Sequence, residues 1–193
     1  AVKVAEESDS LGHLLRPLTR RTFLVAKKVR SQTDIGKSRV GIGSAGVDLA
    51  KQIFGDLTHG RALLIGAGEM GLEVARALQR AGLEELVIAN RTFERAVELA
   101  NDVGGTPVSV DRIAEYLPRV DVVLTATAAQ GILLDVDVVR RSLRKRKYKP
   151  LFLMDLSVPR NIDPDVDNLE AAYLFNVDDL SGIVEQGRRA REE

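Results

Sequence analysis

The run Gly66-Ala67-Gly68-Glu69-Met70-Gly71 stands between an unbroken apolar stretch, residues 62–65, and a helix-period pattern at Met70, Val74, Ala77, Leu78 and Ala81. A buried strand that feeds three spaced glycines and then a helix leaves few folds open. In such a turn Gly66 permits the sharp reversal, and Gly68 lets the backbone come close to a pyrophosphate. Gly71 lets the helix pack tightly while its first N–H groups face the anion. The spacing therefore predicts a dinucleotide site whose contacts come from Gly66, Ala67, Gly68, Glu69, Met70 and Gly71.

A second motif bears on which dinucleotide. Domains that take NAD usually end the next strand in an acid about 20 residues past the glycines, where it accepts from the ribose 2′-hydroxyl. Here residues 86–89 run into Asn90-Arg91-Thr92, with no acid. An amide, a guanidinium and a hydroxyl suit a 2′-phosphate, so the expected coenzyme is NADP(H). Thr92 can also N-cap the helix that follows, over residues 93–100.

From residue 61 onward, strand-like and helix-like stretches alternate, as a parallel sheet covered on both faces requires. Strands are expected near 61–65, 85–89, 106–110, 120–125, 151–156 and 172–175, with helices over about 70–81, 93–102, 111–117 and 135–146. Pro107 cannot donate to a ladder, so the third strand belongs at an edge, as the order 3-2-1-4-5-6 provides. The fold class is α/β, a Rossmann-type doubly wound parallel sheet with flanking N-terminal helices and a C-terminal helix.

Ahead of the sheet, Pro17 suits a helix's first turn. Leu18, Val25, Ala26 and Val29 mark its apolar stripe, and residues 33–36 read as its stop. A second helix is expected from Ser44, as cap, to near Gly55. The expected division is a helical connector over 1–57, an NADP-binding domain over 58–177, and the start of a long helix over 178–193. The first residue is not methionine and the last helix has no stop signal, so both ends read as cuts through a longer polypeptide.

Two further segments should reach the crevice beyond the strands' carboxyl ends. Thr125-Ala126-Thr127 brings small hydroxyl side chains to flank a ribose or nicotinamide. Residues 155–160, Asp-Leu-Ser-Val-Pro-Arg, leave the fifth strand with Val158 near the same pocket. Asp155 reads first as a carboxylate holding backbone, and Arg160 reads equally as a surface ion-pair partner. No Ser-His-Asp set, metal cluster or general base stands out, and no catalytic residue or metal ligand is assigned.

Cysteine is absent, which excludes disulfides and any thiol nucleophile within these 193 residues. His13 and His59 read as ordinary surface residues. There is no apolar run near 18 residues and no signal-like leader, so the expected setting is cytoplasmic, without a membrane partner. Formal net charge is zero but unevenly spread: residues 11–51 carry +7, residues 150–193 carry −6, and residues 140–149 hold seven basic side chains and no acid. Such runs are usually solvated helix ends, and otherwise contact a polyanion such as tRNA.

Residues 23–30 (FLVAKKVR), 33–36 (TDIG), 66–71, 88–92 (IANRT) with Arg95-Ala96, 155–160 (DLSVPR) and 173–180 (YLFNVDDL) together resemble glutamyl-tRNA reductase, from about Leu14 onward. The resemblance implies the NADPH-binding domain of an enzyme that reduces glutamyl-tRNA(Glu) to glutamate-1-semialdehyde, a step of tetrapyrrole (porphyrin) synthesis. In that family a cysteine of an amino-terminal catalytic domain attacks the glutamyl ester, and hydride from NADPH reduces the thioester. A carboxyl-terminal domain on a spinal helix makes the dimer. With no cysteine here, the resemblance implies NADPH binding without turnover. The alternatives are a shikimate-dehydrogenase-like NADP oxidoreductase domain, and a stand-alone NADP-binding regulatory module.

Overall fold

In a computed structural model the protein is described over residues 2–32 and 42–180. The expected stop at 33–36 and the expected long helix beyond residue 180 lie outside these. The chain divides into two compact units, Ala1–Arg39 and Val40–Glu193.

The first unit consists of α1 (Val2–Glu7) and α2 (Leu15–Gln32), with Pro17 in the first turn of α2. Leu18, Phe23 and Leu24 of α2 are 60%, 61% and 64% exposed, so its apolar residues are not gathered on a covered stripe.

The second unit opens with α3 (Ile42–Phe54), then alternates β1 (Arg61–Ile65), α4 (Glu69–Arg80), β2 (Glu85–Asn90), α5 (Phe93–Val103) and β3 (Thr106–Ser109). It continues through the short α6 (Ile113–Tyr116), β4 (Val122–Thr125), α7 (Val136–Lys145), β5 (Leu151–Asp155) and β6 (Ala172–Asn176), and a helical turn starts at residue 177. The six strands form one parallel sheet in the order β3-β2-β1-β4-β5-β6. Pro107 sits on the edge strand β3, opposite Ile88, where a missing N–H costs no second ladder.

The four inner strands β1, β2, β4 and β5 are buried on both faces, hence their continuous apolar runs, while the edge strands β3 and β6 are only partly covered. One face supplies Ala62, Leu64, Ile88, Leu124, Phe152 and Met154 to a core with α3, α4 and α5. The other supplies Leu63, Ile65, Val87, Val123, Leu151 and Leu153 to a core closed by α7 and the α6 segment. Phe152 and Phe175 stack across β5 and β6 with ring centroids 5.3 Å apart.

The unit boundary differs from the sequence-based division. Residues 40–57, expected in the connector, belong with the sheet, because Ala45, Val47, Leu49, Ala50 and Leu57 are buried in its core. Two glycines make the approach possible. A Cβ on Gly43 would lie 2.9 Å from Val74 Cγ2, and one on Gly46 would lie 2.2 Å from Met154 Sδ. Ser44 is within α3 and not its cap.

The expected helix over 111–117 is instead a turn of 3-10 helix, one turn of α-helix and a second 3-10 turn, Leu117–Arg119, shaped by Pro118. Helix α7 starts one residue later than expected because Asp135 caps it, its Oδ1 accepting from Val138 N at 2.7 Å. No helix among the described residues is long and apolar enough to cross a membrane.

Candidate functional site

The crevice lies where β1, β2 and β4 end. After Ile65 the chain reverses at Gly66, whose φ of +118° only glycine adopts without strain. A Cβ there would also strike Ala126 O at 2.3 Å, so the first glycine is fixed by both conformation and space. Gly71, in the first turn of α4, is fixed by space alone: its Cβ would stand 2.2 Å from Gly66 O. Gly68 has ordinary extended backbone, and nothing lies within 4 Å of where its Cβ would be. Its open flank faces no protein atom, as required where a ligand's phosphates must approach.

A cavity of about 340 Å³ follows this turn, walled by Gly66, Ala67 and Gly68 on one side and by residues 126–130 on the other. Asn90, Arg91, Thr92 and Arg95 close one end. Asn90 is a structural bridge: its Oδ1 accepts from Ala67 N at 3.3 Å and its Nδ2 donates to Thr92 O at 2.9 Å. That ties the glycine turn to the end of β2. Thr92 is the N-cap of α5 by position, yet its hydroxyl makes no capping bond, so the hydroxyl stays available. Arg91 and Arg95, both exposed, make no ion pair or side-chain hydrogen bond among the described residues.

The wall opposite is set from β5. Asp155, 2% exposed, accepts four hydrogen bonds. Thr125 Oγ1 (2.6 Å) and Ser157 N (3.0 Å) reach Oδ1, and Asn161 N (2.8 Å) and Ile162 N (2.9 Å) reach Oδ2. Asn161, fully buried, extends the network by donating Nδ2 to Ala129 O at 3.0 Å and Gly131 O at 2.7 Å. Thr127 N donates to Ser157 Oγ (3.1 Å), and Thr127 Oγ1 accepts from Ala129 N (2.7 Å). The two loops that follow β4 and β5 are thus joined before any ligand arrives.

The structure brings together Gly66, Ala67, Gly68, Asn90, Arg91, Thr92 and Thr127 around one cavity. Thr125 does not join them: it is fully buried and its hydroxyl is committed to Asp155, so the expectation that it flanks a ligand is corrected. Glu69, Met70 and Gly71 form the first turn of α4 behind the cavity wall, with Met70 packed against the core. Val158, 81% exposed beside a cis bond to Pro159, also lies outside the cavity lining. Asp155 is the structural carboxylate that its first reading made it.

Arg95, in the first turn of α5, joins the site as well; its closeness in sequence to Arg91-Thr92 is the signal for it. Asn161 carried no signal, since a lone Asn after a strand more often faces water.

The parallel order, the glycine turn at the end of β1 and the crevice beside it define a dinucleotide-binding domain of the Rossmann class. The chain belongs to the family described as shikimate / quinate 5-dehydrogenase, whose profile matches residues 48–183. Its likeness to glutamyl-tRNA reductases extends beyond that profile to nearly the whole chain. It is 46% identical over 190 residues to the Teredinibacter turnerae glutamyl-tRNA reductase, covering 98% of this chain and 46% of that protein. It is 41% identical over 191 residues to the Aquifex aeolicus one, covering 99% and 47%. The solved glutamyl-tRNA reductase of Methanopyrus kandleri superposes with a TM-score of 0.74 at 40% identity, over 97% of this chain and 48% of that one. The chain spans about half the length of the curated relatives it matches.

Proposed function

We propose that this chain is the NADPH-binding part of a glutamyl-tRNA reductase, supplying the reductant for conversion of glutamyl-tRNA to glutamate-1-semialdehyde. The observation that carries the reading is the reductase likeness over 98% of the chain, including the N-terminal helices that the dehydrogenase profile does not reach.

The residues present fit NADPH. Gly68 leaves room for a pyrophosphate beside the N-terminus of α4, where unpaired N–H groups favour an anion. Arg91 and Arg95 offer two uncommitted guanidinium groups at the end of β2, where an acid would select NAD, and Thr92 adds a hydroxyl. Thr127 and the wall over 126–130 would flank the nicotinamide half. When bound, the coenzyme supplies a hydride. The chain's own groups bind and orient it, while the joined loops after β4 and β5 hold the wall in place. The thiol nucleophile that this reading needs is not among these residues, which contain no cysteine, and the Asp155 carboxylate is committed to four donors.

In this reading the cysteine that attacks the glutamyl ester, the tRNA contacts that place it, and the homodimer interface belong to other parts of the parent enzyme. The test joins this chain to the remainder of the reductase and follows NADPH oxidation with glutamyl-tRNA. Oxidation by the whole enzyme, with NADPH binding but no turnover by the chain alone, is expected. A folded whole enzyme that binds NADPH and oxidises none with glutamyl-tRNA would overturn the reading.

The family profile favours one other reading, a shikimate-type dehydrogenase domain. Reduction of NADP by shikimate in the same whole protein would select it.

A further inference from the structure

At the end of the sheet opposite the crevice, where strands begin, lies a second concavity of about 460 Å³. His59, Arg61, Arg119, Asp121, Arg146 and Lys149 line it. They come from the start of β1, the turn before β4 and the turn before β5. Arg61 is paired with Glu85 at 3.3 Å, and Arg146 with Asp121 at 3.2 Å. Arg119 and Lys149 have no ion pair among the described residues.

The basic run 140–149 adjoins this concavity. Within it Arg140 is paired with Asp137, and Arg146 is buried. Arg144, Lys145, Lys147 and Lys149 are exposed and make no ion pair among the described residues. The dipole of α7 accounts for Arg144 and Lys145 in its last turn. It does not account for Lys147 and Lys149, which lie past the helix, or for Arg119, which belongs to another element.

The loop carrying those lysines is held in an uncommon shape. Lys147 and Tyr148 have φ of +53° and +54°, two successive left-handed residues without a glycine. Tyr148 N donates to Leu143 O at 2.9 Å. Arg146 pins the rest, its Nε donating to Lys149 O at 2.9 Å and one Nη to Pro150 O at 2.7 Å, the other Nη reaching Val120 O. The outcome is a fixed Lys-Tyr-Lys tip in which Tyr148 is 49% exposed and both neighbouring lysines are exposed. A phosphate track of cations beside an exposed ring is how proteins hold unpaired nucleic-acid strands, phosphates on the cations and a base on the ring.

We propose that the Lys147-Tyr148-Lys149 loop and the concavity beside it bind a single-stranded nucleic-acid segment, with phosphates on Arg119, Lys147 and Lys149 and a base stacked on Tyr148. The site is separate from the nucleotide crevice and does not depend on the NADPH reading.

The test measures fluorescence anisotropy of labelled single-stranded RNA and DNA of about 12 nucleotides, a length one such site can hold. It uses the 193-residue chain over a range of salt, with the thermal midpoint of each variant as the folding check. Three phosphate contacts give a log–log salt slope of about −2, and Lys147→Ala with Lys149→Ala should flatten it by about 1.4. Tyr148→Ala should weaken binding about fivefold or more with the slope unchanged, and Tyr148→Phe should bind as the unaltered chain does. The tighter of RNA and DNA identifies the source of the strand. No binding at low salt, an unchanged affinity in folded Tyr148→Ala, or equal binding of polyglutamate would overturn the proposal.

Discussion

Thr125, the last residue of β4, stands in register with Asp155, the last residue of β5, and donates its hydroxyl to that carboxylate at 2.6 Å. Two neighbouring strands thus end on a single short, buried hydrogen bond. The same carboxylate takes three backbone N–H groups from the loop beyond. Asp155→Ala would leave four buried donors unpaired, and urea unfolding should show a loss of about 3 kcal/mol or more. Asp155→Asn should cost about 1–3 kcal/mol, because either placement of its NH₂ opposes at least one N–H donor.

The glycine turn separates stability from affinity. Gly71→Ala puts a methyl against Gly66 O and should lower stability by about 1–3 kcal/mol, seen as a lower thermal midpoint. Gly68→Ala meets nothing in the protein, so its midpoint should stay within about 0.5 kcal/mol of the parent's. Its NADPH affinity should nevertheless fall. A parent-like affinity in Gly68→Ala would mean that no ligand passes close to this turn.

The proposed preference for NADPH rests on the guanidinium groups of Arg91 and Arg95. Arg91→Ala and Arg95→Ala should each weaken NADPH about tenfold or more, the usual worth of a hydrogen bond between charged groups. NADH should bind the parent and both variants alike. Titration by fluorescence decides this, and equal NADPH and NADH affinities for the unaltered chain would remove the 2′-phosphate assignment.

One exposed pair gives a pH signature. Arg112 donates to Glu115 Oε2 at 2.7 Å, and this hydrogen bond, ahead of the charge of Arg112, holds the Glu115 carboxyl below its ordinary range. A depressed carboxyl stabilises the fold above its unfolded pKa, and that contribution fades as pH falls through the folded value. Both side chains are more than half exposed, so solvent screens the effect. An NMR titration of Glu115 should show its midpoint rising in Arg112→Ala.

Much of this architecture is written in local pattern. The strand order is the one that apolar runs alternating with helix periods lead one to expect, and Pro107 agrees with the edge place of β3. The glycine turn and the Arg91-Thr92 end of the cavity were legible because each needs a residue type that few other contexts demand. What escaped depends on register. Whether the Thr125 hydroxyl faces a ligand or the next strand is decided by its pairing with Asp155, which no window of residues 120–130 contains. Helix α3 reads as connector because it precedes the first strand, and nothing local marks Gly43 and Gly46 as points of close approach. Only their neighbours Val74 and Met154, distant in sequence, show them to be contact points. Arg146 was one cation among seven until the carbonyls of Val120, Lys149 and Pro150 gathered round it.

Asn161 reaches from beyond β5 to the carbonyls of Ala129 and Gly131 and so fixes the far wall of the crevice. With that wall in place at folding, the loops after β4 and β5 need not condense around an arriving nucleotide, and the entropy of ordering them does not count against its affinity. Association should then run fast into an open cleft, leaving residence time as the quantity that sets the affinity.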